Sequence, residues 1–483
     1  MVYNGLISHW VRHEGRGSAI KGLSLNRLWG APSLLDEMAR KSTVAVSLAA
    51  LFVAITSVRA LDNGVARLPV LGYNTWNAYA CNINEDLILE TASLMQSLGL
   101  QDVGYTHVNL DDCWAEKNRT ADGLITPNAE RFPSGFNNLT SQLHDMGFQA
   151  GIYSDSGWRT CAGYPGSFSN ELLDATTFQN WGFDYLKYDN CNIPFDDVIR
   201  QGTYGKYQRM ADAIAQLANS SGQPPLIYSL CEWGWSQVWI WGATVGNSWR
   251  ADGDITDTWD SIASIINLAS FISGYTNFYG RNDIDILEVG NGELTYEENK
   301  AHFTAWALLK SPLLIGTNLS AASPEIIDIF KNTEILAINQ DPTVGTSISP
   351  FRWGINADWT SNSSYPAQYW SGLTENGTVV MLLNTLDEPA DMFFNLTESP
   401  WVRAGRQYSV RDLWTHTDNG TAIRNFTARL FRLMELSPCF SRMLETSPTA
   451  FCPFAPSTTS AHGERNAGRW QLVLKWLSRR RIR

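Results

Sequence analysis

Histidine is scarce in this chain of 483 residues: there are seven, and no two form an H-x-H or H-E-x-x-H pair. The common zinc-hydrolase patterns therefore have no anchor. No G-x-x-x-x-G-K-[S/T] loop occurs, nor a G-x-G-x-x-G following a strand-like run, so neither a P-loop nor a dinucleotide cradle is indicated. Positive charge is also short. Thirty-six Lys and Arg face 48 Asp and Glu for a net −12, which argues against a nucleic-acid partner. The clearest apolar run, 44–55, is too short to cross a bilayer comfortably.

What the chain does have is aromatic surface: 20 Trp, 20 Phe and 17 Tyr, ample for a large domain plus a smaller one, with flat rings suited to stacking on sugars. Arg40 and Lys41, the run 44–55 and the small-residue end Val58-Arg59-Ala60 have the n-, h- and c-regions of a signal peptide over 38–60. This reading requires translation to start at Met38, leaves 1–37 as an extension, and predicts a mature chain from Leu61. A signal-anchor behind a cytoplasmic tail is the rival, disfavoured by the short run. Nine N-x-[S/T] triplets, at Asn118, Asn138, Asn219, Asn318, Asn362, Asn376, Asn395, Asn419 and Asn425, fit a secreted, extracellular glycoprotein with no membrane segment in its mature form. Seven cysteines fit that compartment and leave at least one unpaired within the chain. From 436 the text loses its pattern and ends in the basic "WQLVLKWLSRRRIR"; a surface-binding tail or, preferably, a misread exon accounts for it.

Between 68 and 320 a motif recurs eight times: an apolar, strand-like run ending in polar or aromatic residues, then a segment with helical periodicity. The runs are 69–76, 105–114, 148–157, 183–191, 225–233, 246–254, 276–287 and 311–319. The clearest helices are 84–100, 204–220, 257–273 and 295–310. Eight alternations predict a closed (β/α)8 barrel over 61–345; an open doubly wound sheet is the runner-up.

In such a barrel the strand C-termini meet at one mouth. Asp111, Asp112, Asp155, Lys187, Asp189, Glu232, Arg250, Asp254, Asp283 and Asp285 would face it, ringed by Trp76, Trp114, Tyr153, Trp233, Trp235 and Trp249. Any one of these is ordinarily a solvated strand end, but acids at six successive ends are not. Carboxylates with aromatics and no paired histidines suit carbohydrate chemistry, in which one carboxyl protonates the leaving oxygen and a second acts as nucleophile or base. Asp189, beside Lys187, is expected ionised and nucleophilic. Asp254 or Asp252 would be the acid. A magnesium site is disfavoured because Lys187 and Arg250 compete with a cation, and an inactive sugar-binding barrel is separable only by assay.

"LGYNTWNAYACNI", "VNLDDCW", "GIYSDSGWRTCAGYPGS", "YLKYDNC", "LCEWG", "SWRADGDI", "NDIDILEVGN" and "TAWALLKSPLLIGTNL" together resemble the family 27 glycoside hydrolases, in particular the secreted fungal-type α-galactosidases, in order from about 68 to 435. The resemblance implies a retaining exo-α-galactosidase without metal or other cofactor, acting on oligo- or polysaccharides with terminal α-galactose. It implies Asp189 as nucleophile, Asp254 rather than Asp252 as acid/base, and Trp76, Asp111, Asp112, Tyr153, Lys187, Glu232, Arg250 and Asp285 as sugar-binding. Glu232 would meet the 2-position and favour galactose over N-acetylgalactosamine; an α-N-acetylgalactosaminidase is the alternative. Disulfides Cys81–Cys113 and Cys161–Cys191 are implied, with Cys231 a buried free thiol. The family's "NDPDM" is "NDIDI" here, a change expected to be harmless. An antiparallel β domain should follow over 346–435, with a hairpin turning at Asn376-Gly377. Its closing strands are expected to be incomplete, because the chain passes after about Asn425 into the atypical tail, 436–483.

Overall fold

The computed structural model describes residues 61–353, 363–386, 389–431 and 436–444. The expected leader and the chain beyond 444 lie outside them, as does Asn362. Eight short parallel strands form one sheet: β1 (Leu71–Asn74), β2 (His107–Asn109), β3 (Gln149–Asp155), β4 (Tyr185–Asp189), β5 (Ile227–Leu230), β6 (Ser248–Arg250), β7 (Arg281–Asp283) and β8 (Leu313–Ile315). Their order is β7-β6-β5-β4-β3-β2-β1-β8. The ring closes just past β7, where Leu287 pairs with Ile315 and its N–H donates to the carbonyl of Leu314 at 2.8 Å. This is the closed barrel the alternation predicts, not the open sheet.

The helices begin where local chemistry says they should. Asn84 accepts from the Leu87 N–H, Thr258 from Ser261, and Thr295 forms a full capping box with Glu298. The helix after β4 runs Phe195–Ser221 but breaks at Gly202, whose φ of 67° few other residues adopt; that break explains why helical periodicity is legible only from 204. Around the ring, Trp114, Phe136, Phe178 and Trp181 interlock in edge-to-face and tilted pairs, with centroids 5.3–6.1 Å apart.

After the barrel a six-stranded sheet has the order β14-β13-β16-β11-β10-β9, faced by a two-stranded pair, β12-β15. The members are β9 (Ser349–Arg352), β10 (Tyr369–Thr374), β11 (Gly377–Leu383), β12 (Ala390–Asn395), β13 (Gln407–Asp412), β14 (Thr417–Ala422), β15 (Asn425–Phe431) and β16 (Leu436–Leu444). Strand β11 shows how the layers hold. Val379, Met381 and Leu383 join the barrel's core, while Val380 and Leu382 face Met392 and Phe394 of β12. Buried on both sides, it reads as an unbroken apolar run. Asn332 donates to the Leu413 carbonyl at 3.0 Å, and Arg411 pairs with Glu334 at 2.7 Å, locking the sheet to the barrel.

Two details of this region differ from expectation. The hairpin turns on Glu375-Asn376 and closes at the Thr374–Gly377 pair, because the positive φ (146°) falls on Gly377. More consequentially, the sheet is not left without its closing strand. β15 completes the small sheet, and β16, in the stretch expected to be an atypical tail, sits between β11 and β13.

Candidate active site

One cavity opens at the C-terminal ends of the barrel strands. It is lined by Trp76, Asp111, Asp112, Tyr153, Lys187, Asp189, Arg250, Asp254 and Asp285, with Asn77, Cys161, Ile255 and Ile286 between them. Nine of the ten predicted catalytic and sugar-binding residues therefore meet there.

Alternation explains the geometry of β4. Lys187 and Asp189 share the inward face, and Lys187 Nζ reaches Asp111 Oδ2 at 2.7 Å rather than Asp189. Asn74 Nδ2 donates to the same oxygen at 2.9 Å. Burial alone would discharge Lys187, but Asp111 foremost, with Asp189, holds it charged. Asp112 accepts from the N–H groups of Cys113 (2.6 Å) and Ala162 (2.9 Å), each belonging to or flanking a disulfide.

Asp189 is held without a direct ion pair. Tyr153 O–H donates to its Oδ2 at 2.8 Å, and the Asn190 N–H to its Oδ1 at 2.9 Å. Burial raises its pKa above the usual aspartate value even though Lys187, Tyr153 and Cys231 pull the other way. Lys187 thus does not by itself keep Asp189 at ordinary acidity, as the sequence had suggested. Asp254 is the converse case. Its side chain is 72 % exposed and sits 3.0 Å from Arg250 Nη2, which also contacts Asp285 Oδ2 at 2.7 Å. The desolvation it suffers is outweighed by Arg250 and Lys187, so its pKa falls below the usual value.

Several residues expected at the mouth are elsewhere. Glu232 is fully buried, outside the cavity, with both carboxylate oxygens lacking a hydrogen-bond partner. Burial pushes its pKa to about 8, and Lys206, itself buried and lowered to about 8, is the main opposing charge. The residue before it, Cys231, is the one turned to the site: Arg250 Nη1 lies 3.6 Å from its Sγ, and its proximity helps to lower the pKa of Asp189 against burial. No motif logic singles out a free cysteine here; only strand alternation could have found it. Asp155 is buried beneath the disulfide loop, accepting from Gly157 and Cys191 N–H groups, and Asp283 lies behind Asp285. Trp114 and Trp249 are core side chains whose indole N–H groups bond Tyr153 O and Asn282 Oδ1. Among the predicted ring of aromatics, Trp76 and Tyr153 line the cavity.

Both expected disulfides are present, with Cα separations of 5.2 Å for Cys81–Cys113 and 5.1 Å for Cys161–Cys191. Among the described residues one cluster has metal-type donors, Asp155 with Cys161 and Cys191, and the disulfide already consumes both sulfurs. Asp285, which lines the cavity, holds a φ of 84°, a strained conformation for a residue with a side chain. At the departure "NDIDI", the Ile284 N–H donates to Ser311 Oγ at 3.1 Å, a bond that a proline could not supply.

An acidic cavity at a barrel mouth, with an indole wall and two differently held aspartates, has the make-up of a glycoside-hydrolysing site. Comparison with known proteins agrees. The family model for alpha galactosidase A matches residues 68–341, and that for the alpha galactosidase C-terminal beta sandwich domain matches 364–431. The chain belongs to this family of glycoside hydrolases. It is 40% identical over 413 residues to the probable alpha-galactosidase B of Talaromyces emersonii, covering 76% of this chain and 91% of that one. The Aspergillus oryzae protein of the same description is 40% identical over 425 residues, covering 79% and 95%. Among solved structures, alpha-galactosidase I of Mortierella vinacea superposes with a TM-score of 0.71 at 33% identity over 80% of this chain and all of that one. The Saccharomyces cerevisiae enzyme with raffinose gives 0.70 at 31%, over 79% and 99%.

Proposed function

We propose that this enzyme removes terminal α-D-galactose from galactosides such as melibiose, raffinose-type oligosaccharides and galactomannan, with net retention at the anomeric carbon. The observation that carries the assignment of roles is the unlike holding of two aspartates in one cavity: Asp189 is buried on the Tyr153 hydroxyl, and Asp254 is exposed on Arg250. Asp189 attacks the anomeric carbon as the bond to the leaving oxygen breaks, and that oxygen takes the proton of Asp254. Asp254 then removes a proton from water, which displaces Asp189 and frees galactose. Lys187, Asp111, Asp112, Arg250 and Asp285 present fixed charges to the sugar hydroxyls, and Trp76 offers an apolar wall. The test is hydrolysis of p-nitrophenyl α-galactoside against its β-galactoside, α-glucoside and α-N-acetylgalactosaminide counterparts. Only the first should be cleaved well.

Galactose should still be preferred over N-acetylgalactosamine, but not through Glu232, which is buried and is not among the residues lining the cavity. Glu232→Gln is expected to leave the ratio of kcat/KM on those two aryl glycosides within about threefold of wild type. A collapse of that ratio would return Glu232 to the site.

Secretion is supported by the sequons. Of the eight on described residues, seven asparagines are exposed and Asn318 is half-buried. No helix among the described residues is long and apolar enough to cross a membrane. N-terminal sequencing of secreted protein should begin near Leu61, and a start upstream of Met38 would refute the leader.

A further inference from the structure

Strand β4 ends on Asp189, so the residues that follow need anchors other than the sheet. The first of them matters to the site, because the Asn190 N–H donates to Asp189 Oδ1. This segment is fastened to the loop after β3. Ser156 N–H donates to the Asp189 carbonyl at 3.0 Å, and Trp158 N–H to that of Asn192 at 3.2 Å. Between those two bonds the backbones abut. A Cβ on Gly157 would lie 2.0 Å from the Cys191 carbonyl oxygen, so no side chain fits there. The chain then turns at Asn192, whose φ is 46°.

Asp155, the β3 partner of Asp189 in the sheet, stands at the centre of this joint. Its Oδ1 accepts from the Gly157 N–H at 2.7 Å and its Oδ2 from the Cys191 N–H at 2.9 Å. One carboxylate thus grips both loops, and the Cys161–Cys191 disulfide ties the same loops a second time. The Cys191 N–H belongs to the peptide that follows Asn190. Fixing it fixes the turn, and with the turn the N–H aimed at the nucleophile.

A carboxyl that accepts through both oxygens is an ionised one, and burial with the neighbouring Asp189 charge opposes that state. The compensating charge comes from the helix Phe195–Ser221. Lys206 is buried there, and its ammonium has no hydrogen-bond partner among the described residues. It faces Glu232, Asp155 and Asp189. The cavity's own cations are committed elsewhere, Lys187 to Asp111 and Arg250 to Asp254 and Asp285.

We propose that Asp155, with Lys206 as its counter-ion, is a positioning residue that fixes the turn after β4 and so the aim of Asp189. The inference rests on the reading of Asp189 as nucleophile given above. Asparagine is the discriminating replacement: its amide can accept from one of the two N–H groups and must point a donor at the other.

The experiment measures kcat and KM on p-nitrophenyl α-galactoside for Asp155→Asn, Lys206→Met and the double variant, with kcat counted per folded enzyme from the thermal transition. Asp155→Asn should lower kcat roughly 10–100-fold and leave KM within about threefold, since the sugar-binding side chains are untouched and a small misplacement of a reacting group is costly. Lys206→Met should do the same. The double variant should fall no more than about threefold below the poorer single, because both act through one joint. Glu232→Gln, which removes the other carboxylate that Lys206 faces, should keep kcat within about threefold. If Asp155→Asn does not fold, Lys206→Met beside Glu232→Gln decides. Unchanged kcat per folded enzyme, a loss confined to KM, or losses that multiply in the double variant would overturn the proposal. So would a Glu232→Gln enzyme as slow as Lys206→Met, or failure of both single variants to fold, which would make the joint merely structural. A wild type inactive on α-galactosides, or an active Asp189→Asn, removes the nucleophile and the proposal with it; an active wild type with an unimpaired Asp155→Asn removes only the proposal.

Discussion

Asp189→Asn is expected to abolish turnover on every α-galactoside, by on the order of 10⁴–10⁶-fold. The amide is close in shape to the carboxylate and can keep the Tyr153 hydroxyl as a neighbour, so folding should survive; what disappears is the oxygen nucleophile. Because the loss lies in bond formation, a better leaving group should not restore the rate. The thermal midpoint should stay near wild type, which separates lost chemistry from lost structure. NMR of the wild-type reaction should show α-galactose forming first, since two displacements each invert. β-Galactose forming first, or an active Asp189→Asn enzyme, would refute the role.

Asp254→Asn should behave differently because it removes a proton donor and not a bond. On raffinose or melibiose the loss should be roughly 10²–10⁴-fold. On p-nitrophenyl α-galactoside the first step should be far less impaired, so that the second limits turnover, gives a burst of nitrophenol, and is rescued by azide. The pH profile adds a sharper criterion. Two aspartates start from one ordinary value; burial raises Asp189, and Arg250 with Lys187 lowers Asp254. Catalysis needs Asp189 ionised and Asp254 protonated, so the free enzyme has the higher pKa on the group that must be charged. The productive form is then a minor species at any pH, and the alkaline limb of kcat/KM belongs to Asp189. Asp254→Asn on the aryl substrate should therefore give a profile that rises with pH to a plateau, with its midpoint at the wild type's alkaline limb. A midpoint at the acid limb would show that the two carboxyls have the opposite order.

The strands and the mouth were legible because a barrel strand writes itself plainly: an apolar run for the core, then polar residues where the chain leaves it. Lys187 and Asp189, two apart on β4, necessarily share a face. The same rule shows why Glu232 was misplaced. It lies one residue past Cys231, beyond the end of β5, where it is buried and does not line the cavity. Trp114 and Trp249 misled for another reason: composition counts rings, whereas burial decides whether they stack on a ligand or on Phe136 and its neighbours. β16 was illegible because "LSPCFSRML" lacks two-residue alternation and holds Pro438, which ordinarily demotes a run from strand interior. Its pairing comes from neighbours distant in sequence.

That placement has a consequence for biosynthesis. The strand that joins β13 to β11 is the last of the sixteen described strands to be made, so on the ribosome the two halves of the six-stranded sheet must wait, edges unpaired, until residue 444 emerges. The barrel, whose eight strands are complete by Ile315, can assemble well before then. Completion of the chain is thus what converts a catalytic barrel with two sticky sheet fragments into a finished enzyme. A transcript truncated or shifted in frame ahead of codon 436 would yield a protein with every cavity residue intact and yet prone to aggregate, and a secretory pathway that retains misfolded chains would in effect be checking the message for its final strand.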